Sequence, residues 1–264
     1  MNLQLAGKQA LVTGSTAGIG FATAQRLAEE GATVVLNGRT PEHVDQAVQR
    51  LQSAVPAAQV QGVAADLSTA SGCEQLTARI PQVDILVNNL GIFEPKPFLE
   101  ITDADWLRFF ETNVMSGVRL SRHYLPGMQA KNWGRIVFVA SESGVQIPVE
   151  MIHYGMTKTA QIAIARGLAE TTVGTGITVN SVLPGPTRSE GVATFVNQLA
   201  AQRGIDFAAM EKEFFQSARP SSLLQRFITV EEVANMIAYV CSPAASATNG
   251  AALRVDGGVV RAIL

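Results

Sequence analysis

"TGSTAGIG", residues 13–20, is the stretch from which the fold can be read. It begins where the apolar, β-branched run "ALVT" (10–13) ends. It leads into a helical pattern from Ile19 to Glu30 that stops at Gly31, a natural left-handed residue after a helix. Gly14, Gly18 and Gly20 are spaced G-x3-G-x-G across the junction. A turn without side chains lets an anion approach the backbone, and the exposed N–H groups of a helix N-terminus favour negative charge. Ser15 and Thr16 add hydroxyl donors, and Ile19 opens the helix. At the first strand-to-helix junction, this turn reads as a pyrophosphate cradle for a dinucleotide, with a plain chain reversal as the alternative.

Outward from the turn, the same alternation repeats. "TVVLN" (33–37), "VQGVA" (60–64), "DILVN" (84–88), "RIVFVA" (135–140), "ITVNSV" (177–182) and "AALRV" (251–255) are further strand candidates. Their apolar runs are nearly continuous, as expected of a parallel sheet covered on both faces. Thr40-Pro41 reads as a helix cap followed by proline at the first helical position, opening a helix toward Gln52. "TVEE" (229–232) fits a capping box before a helix ending near Cys241. Regular β-α alternation without a linker or repeat implies one doubly wound α/β domain over residues 1–264. Residues 187–227 break the rhythm with helical patches and no strand, and read as a substrate lid or as a structural or oligomerisation insert. Phe195, Phe207, Met210, Phe214 and Phe215 would give that excursion an apolar covering or an ordinary core.

Composition narrows the function. Hydrophobic residues make up 47% and charged residues 16%, below the usual share of about a quarter, which suggests surface covered by other subunits. With a net charge of −2 and no basic stripe, nucleic acid is not an expected partner. Cys73 and Cys241 form no paired motif, and His43, His123 and His153 are scattered, so neither a disulfide framework nor a metal site is read. No apolar run approaches the roughly 18 residues of a membrane span, and the N-terminus reaches the glycine turn before a signal-peptide pattern develops. The expectation is a cytoplasmic protein with no membrane partner.

Candidate ligand groups gather at the carboxyl ends of the strands. The second strand ends "VVLNGRT", with no carboxylate for a ribose 2′-hydroxyl and with Arg39 placed to meet a 2′-phosphate, which favours NADP(H) over NAD(H). Asp66-Leu67 follows the third strand, where Asp66 either accepts from an adenine amine or starts a turn. "NNLG" (88–91) ends the fourth, with Asn89 able to bond backbone and cofactor and Gly91 permitting close approach. Tyr154 and Lys158 lie four apart, one turn of a helix, and share a face.

Together these residues resemble the short-chain dehydrogenase/reductase family, and its 3-oxoacyl-[acyl-carrier-protein] reductases in particular. The matches run in order: Thr13-Gly14-x3-Gly18-Ile19-Gly20, Asp66, Asn88-Asn89-x-Gly91, Asn113, Ser141, Tyr154-x3-Lys158, Pro184-Gly185 and "VDGG" (255–258). The resemblance implies a Rossmann fold with a seven-stranded parallel sheet, a nicotinamide cofactor and a homotetramer or homodimer. Two departures stand out: Leu90 where the family has alanine, and Ala140-Ser141-Glu142-Ser143-Gly144 where it has Ser-Ser-x-x-Gly. Ser141 matches the catalytic serine, Ser143 is its competitor, and Glu142 is either solvated or turned to the substrate mouth.

The implied reaction transfers a hydride between NADP(H) and a small-molecule carbonyl/secondary-alcohol pair. Tyr154 would exchange the proton, and a nearby ammonium at Lys158 should lower its pKa. By the resemblance, Lys158 also bonds the nicotinamide ribose, Ser141 holds the substrate oxygen, and Asn113 anchors a water linking Lys158 to solvent. His153 is read as a bystander. The alternatives are a non-catalytic NADP-binding regulator and an NAD-preferring alcohol or sugar dehydrogenase.

Overall fold

The computed structural model describes residues 2–263, the side chains of Phe195 and Leu199 excepted. Seven parallel strands form one sheet in the order β3-β2-β1-β4-β5-β6-β7. They are β1 (Gln9–Val12), β2 (Thr33–Gly38), β3 (Val60–Ala64), β4 (Ile85–Asn88), β5 (Gly134–Val139), β6 (Ile177–Pro184) and β7 (Ala252–Val255), each within a few residues of its expected run. This is the expected Rossmann-like α/β architecture. Registers such as Val12 opposite both Leu36 and Val87 make β1 the centre from which the sheet grows in two directions. The strand order therefore reverses between β1 and β4, the place where open α/β sheets form ligand crevices.

Alternation along each strand explains the continuous apolar runs. Val12, Leu36 and Val87 enter the layer containing α1 (Gly18–Glu29), α2 (Pro41–Ala54) and α9 (Val230–Val240). Leu11, Val35 and Leu86 enter the opposite layer, with α3 (Ala70–Arg79), α5 (Ser116–Lys131) and α6 (Ile152–Glu170). Successive side chains serve opposite faces and both faces are covered, so neither position tolerates polarity.

Two features depart from simple alternation. Between α4 (Asp103–Phe110) and α5 the helix widens into a π-helical segment, Glu111–Met115. The excursion of 187–227 holds α7 (Glu190–Arg203) and α8 (Phe207–Ser217), with a small core of Val196, Ala200, Met210, Phe215 and Phe227. Phe214 stacks on Phe227 with centroids 5.1 Å apart. Of the apolar residues expected there, Phe195 has its side chain outside the described residues.

Candidate active site

The glycine turn is built by backbone constraints. Gly14 and Gly18 adopt φ of +59° and +58°, the left-handed region in which a side chain is strained. Gly20 needs its missing side chain for another reason: a Cβ there would lie 2.5 Å from both Asn89 Nδ2 and the Gly14 carbonyl. Threonines cap the N-termini of α2, α3, α4 and α9. At α1, by contrast, the cap position is Ala17, which supplies no side-chain hydrogen bond. The first N–H groups of α1 are thereby left to an external anion.

Several expected ligand residues instead hold the turn in shape. Ser15 is fully buried, donates to the Val12 carbonyl at 2.7 Å and accepts from Asn37 N–H at 3.0 Å, so its expected role as an external donor is corrected. Thr16 keeps a half-buried position beside Gly38. Asn37 accepts from Gly14 N–H and donates to the carbonyls of Val63 and Ala65, tying β2 and β3 to the turn. Asn89 Nδ2 donates to the carbonyls of Thr13 and Gly14. Asp66 Oδ1 accepts from Ser68 N–H and Oγ–H, the geometry of a turn residue at an exposed position. Leu67 is buried in the core, leaving only its backbone to a ligand. Arg39 is exposed and makes no ion pair among the described residues. Gly185 packs against Asp256, whose carboxylate holds the N–H groups of Gly258 and Val260.

A cavity of about 430 Å³ opens beyond the turn. Ile19, Asn89, Gly91, Pro184 and Gly185 line its nucleotide side, and Ser141, Tyr154 and Lys158 its inner wall. Val192, Met210, Phe214 and Phe227 of the excursion line the opposite side. Asn113 lies behind the cavity, and Arg39, Asp66 and Leu67 lie outside it.

Helix α6 presents Tyr154 and Lys158 toward the end of β5. Lys158 Nζ lies 5.6 Å from the Tyr154 ring centroid. It donates to the Val139 carbonyl and to Gln161 Oε1, both at 3.0 Å. Gln161, 1% exposed, turns its Nε2–H onto the Asn113 carbonyl at 2.6 Å. That carbonyl lies within the π-helical segment, where widening the turn disturbs the regular ladder. The Asn113 side chain accepts from Ile92 N–H and donates to the Ile92 carbonyl and Thr157 Oγ, clamping the loop after β4 to α6. Gln161, a residue the sequence reading passed over, links the Asn113 carbonyl directly to Lys158.

Ser141, two residues after β5, shares the cavity wall with Tyr154 and is the serine that acts on its hydroxyl, opposing the rise of its pKa. Ser143 contributes its N–H to Ser141 Oγ at 3.1 Å. Glu142 is only 4% exposed and lines the cavity, so of its two readings the inward one holds. Its Oε2 accepts from Ser141 Oγ at 2.5 Å, and Oε1 accepts from Arg219 Nε at 3.3 Å. Arg219 also reaches Glu150 at 3.1 Å. His153 is fully buried against Phe109, centroids 4.0 Å apart, and burial pushes its pKa down; neither ring nitrogen has a partner among the described residues.

The electrostatics invert one expectation. Burial, with the charge of Glu142 added, raises the Tyr154 pKa, and the Ser141 hydrogen bond and Arg219 only partly oppose this. Lys158 is pushed down to about 7 by burial, again against Glu142. The charges that bear on the Tyr154 phenol are those of Glu142 and Arg219. Below about pH 7 the buried charge destabilises the fold; between there and 10.5 the folded state sheds a proton the unfolded chain retains, so this cost declines with rising pH.

A family model described as enoyl-(acyl carrier protein) reductase matches residues 14–260. The chain belongs to the short-chain dehydrogenase/reductase family. It is 50% identical to the uncharacterized oxidoreductase YvaG of Bacillus subtilis, over 100% of both chains. It is 31% identical to the 3-oxoacyl-[acyl-carrier-protein] reductase FabG of Aquifex aeolicus, over 98% of this chain and 100% of that one. The crystal structure of L-sorbose reductase from Gluconobacter frateurii, complexed with NADPH and L-sorbose, superposes with a TM-score of 0.93 at 31% identity over 100% of both chains. Membership makes the protein a nicotinamide-dependent oxidoreductase acting on CH–OH groups. The turn fits such a cofactor, because uncapped N–H groups and side-chain-free glycines face one crevice. Among the described residues no cluster could hold a metal and no helix is long and apolar enough to cross a membrane.

Proposed function

We propose that this protein reduces a ketone to a secondary alcohol with NADP(H), using Ser141, Tyr154 and Lys158. The observation that carries the reading is the placement of Tyr154 beside Ser141 on the cavity wall, with Lys158 one turn away and pinned to two carbonyls. When bound, the reduced cofactor supplies the hydride. Tyr154, whose raised pKa keeps it protonated at neutral pH, donates a proton to the developing alkoxide. Ser141 steadies the same oxygen. Two of the three Lys158 ammonium donors go to carbonyls, so the third faces the cavity, where a ribose hydroxyl or the forming phenolate can use it.

NADP(H) is supported by Arg39, exposed and unpaired among the described residues, and by the absence of a carboxylate at the end of β2. The excursion of 187–227 serves as a lid, the whole chain acts as one catalytic domain, and the enzyme works in the cytoplasm as a homotetramer of 28.0 kDa chains, measurable by light scattering. Among its relatives, one reduces 3-oxoacyl carriers and another L-sorbose, so an acyl thioester and a hydroxylated ketone are the substrate classes to separate. The apolar lid wall favours the first and the charged inner wall the second.

Tyr154→Phe tests the mechanism. Ketone-dependent NADPH oxidation should fall at least about a thousandfold, while NADPH still binds, as read by nucleotide fluorescence. A variant that turned over normally would end the proposal.

A further inference from the structure

Four charged side chains line the cavity: Glu142, Glu150, Lys158 and Arg219. The guanidinium is already shared between the two glutamates. Next to the catalytic hydroxyls, the wall therefore presents a buried carboxylate whose guanidinium partner is already engaged.

The decisive detail is where the Ser141 proton goes. A serine has one proton, and here it is donated to Glu142 Oε2 at 2.5 Å, while Ser143 N–H donates into the same Ser141 oxygen. A ketone oxygen arriving between Tyr154 and Ser141 meets one available donor, Tyr154. If Ser141 turns its proton to the ketone, Glu142 Oε2 loses that donor while the side chain is only 4% exposed, which is costly. A substrate that carries its own hydroxyl beside the carbonyl removes the conflict: its O–H replaces that of Ser141 on Glu142, and Ser141 turns to the ketone oxygen. The spacing suits this, because two oxygens on adjacent carbons lie about a hydrogen-bond length apart, like Ser141 Oγ and Glu142 Oε2.

We propose that Glu142 is a substrate-binding residue that selects neutral α-hydroxy ketones, accepting the hydroxyl next to the carbonyl and thereby releasing the Ser141 proton to the reacting oxygen. Keto acids are disfavoured, since their carboxylate would face Glu142 with Arg219 already engaged. A β-keto thioester has no donor at the adjacent carbon.

This inference rests on the carbonyl-reductase reading, and the experiment separates the two. NADPH oxidation is followed with four ketones on one four-carbon skeleton: 3-hydroxy-2-butanone, 2-butanone, 2-oxobutanoate and 2,3-butanedione. The last is reactive and lacks a donor, so it reports the proton and hydride machinery without the proposed contact. In the wild type, 3-hydroxy-2-butanone should exceed 2-butanone and 2-oxobutanoate in kcat/KM. Loss of a hydrogen bond to a charged group corresponds to roughly ten- to a hundredfold, so in Glu142→Leu the hydroxyketone-to-ketone ratio should collapse by that amount. Taking the ratio within each variant cancels any general loss of activity. Glu142→Gln, which keeps an acceptor of the same shape, should fall between, and supplies the measurement if the leucine variant does not fold. An unchanged ratio in both variants, or a wild type that prefers 2-oxobutanoate, overturns the role of Glu142 while leaving ketone reduction standing. No oxidation of NADPH with any of the four, 2,3-butanedione included, overturns the reductase reading itself.

Discussion

The two ends of the cavity are built from different materials. At the nucleotide end the recognition elements are backbone N–H groups, and side chains such as Ser15, Asn37 and Asn89 serve to hold that backbone. At the inner wall the active groups are side chains, and backbone carbonyls, of Val139 and Asn113, hold them in turn. A cradle for a constant ligand part can be rigid and chemically neutral. The proton transfer proposed for the inner wall needs charge at chosen atoms, and burying such groups has a cost in desolvation, visible in Lys158 and Tyr154.

If this contrast is right, the largest effect at the nucleotide end comes from adding volume to the backbone. Gly20→Ala puts a methyl group 2.5 Å from the Gly14 carbonyl of the turn and from Asn89 Nδ2, which holds the turn from the loop after β4. NADPH affinity should fall about a hundredfold or more by titration calorimetry; unchanged affinity would mean the turn is softer than its hydrogen bonds imply. A smaller effect is expected from charge at the same end. Arg39→Asp should shift the NADP-to-NAD ratio of kcat/KM by roughly thirtyfold toward NAD, and a constant ratio would remove Arg39 from 2′-phosphate recognition.

The mildest change probes the inner wall through its support. Gln161→Glu places a negative charge against Lys158 and keeps it charged to higher pH, so the alkaline fall of kcat should move upward by about a unit. Gln161→Leu removes an acceptor from the ammonium and should move that fall downward. The groups facing Lys158 in this balance are Tyr154 on its own helix, Glu142 from the loop after β5 and the uncharged Asn113 and Gln161. Profiles that move together, or not at all, would reduce Gln161 to a packing residue.

What could be read from the sequence follows the same division. The sheet was legible because burial on both faces leaves uninterrupted apolar runs, and the turn because Gly14, Gly18 and Gly20 each answer a local backbone demand. The pairing of Tyr154 with Lys158 on one face was legible because they sit one turn apart on one helix. The Gln161 bridge was not, since it joins residues 113 and 161 through a π-helical widening that no periodicity announces. Nor was the buried state of Glu142, because its partner Arg219 is 77 residues away and arrives only when the excursion folds back. The free donor expected of Ser15 failed for a related reason: a hydroxyl can face inward as easily as outward, and local spacing does not distinguish them.

The π-helical segment at Glu111–Met115 has an evolutionary consequence. One extra residue is threaded into an otherwise continuous helix, so the availability of the Asn113 carbonyl depends on chain length more than on side-chain identity. Deleting a single residue there would remove the widening and restore a regular ladder. Within this stretch a substitution tunes the site, whereas an insertion or deletion would dismantle it, and drift by point mutation is the safer route to new specificity.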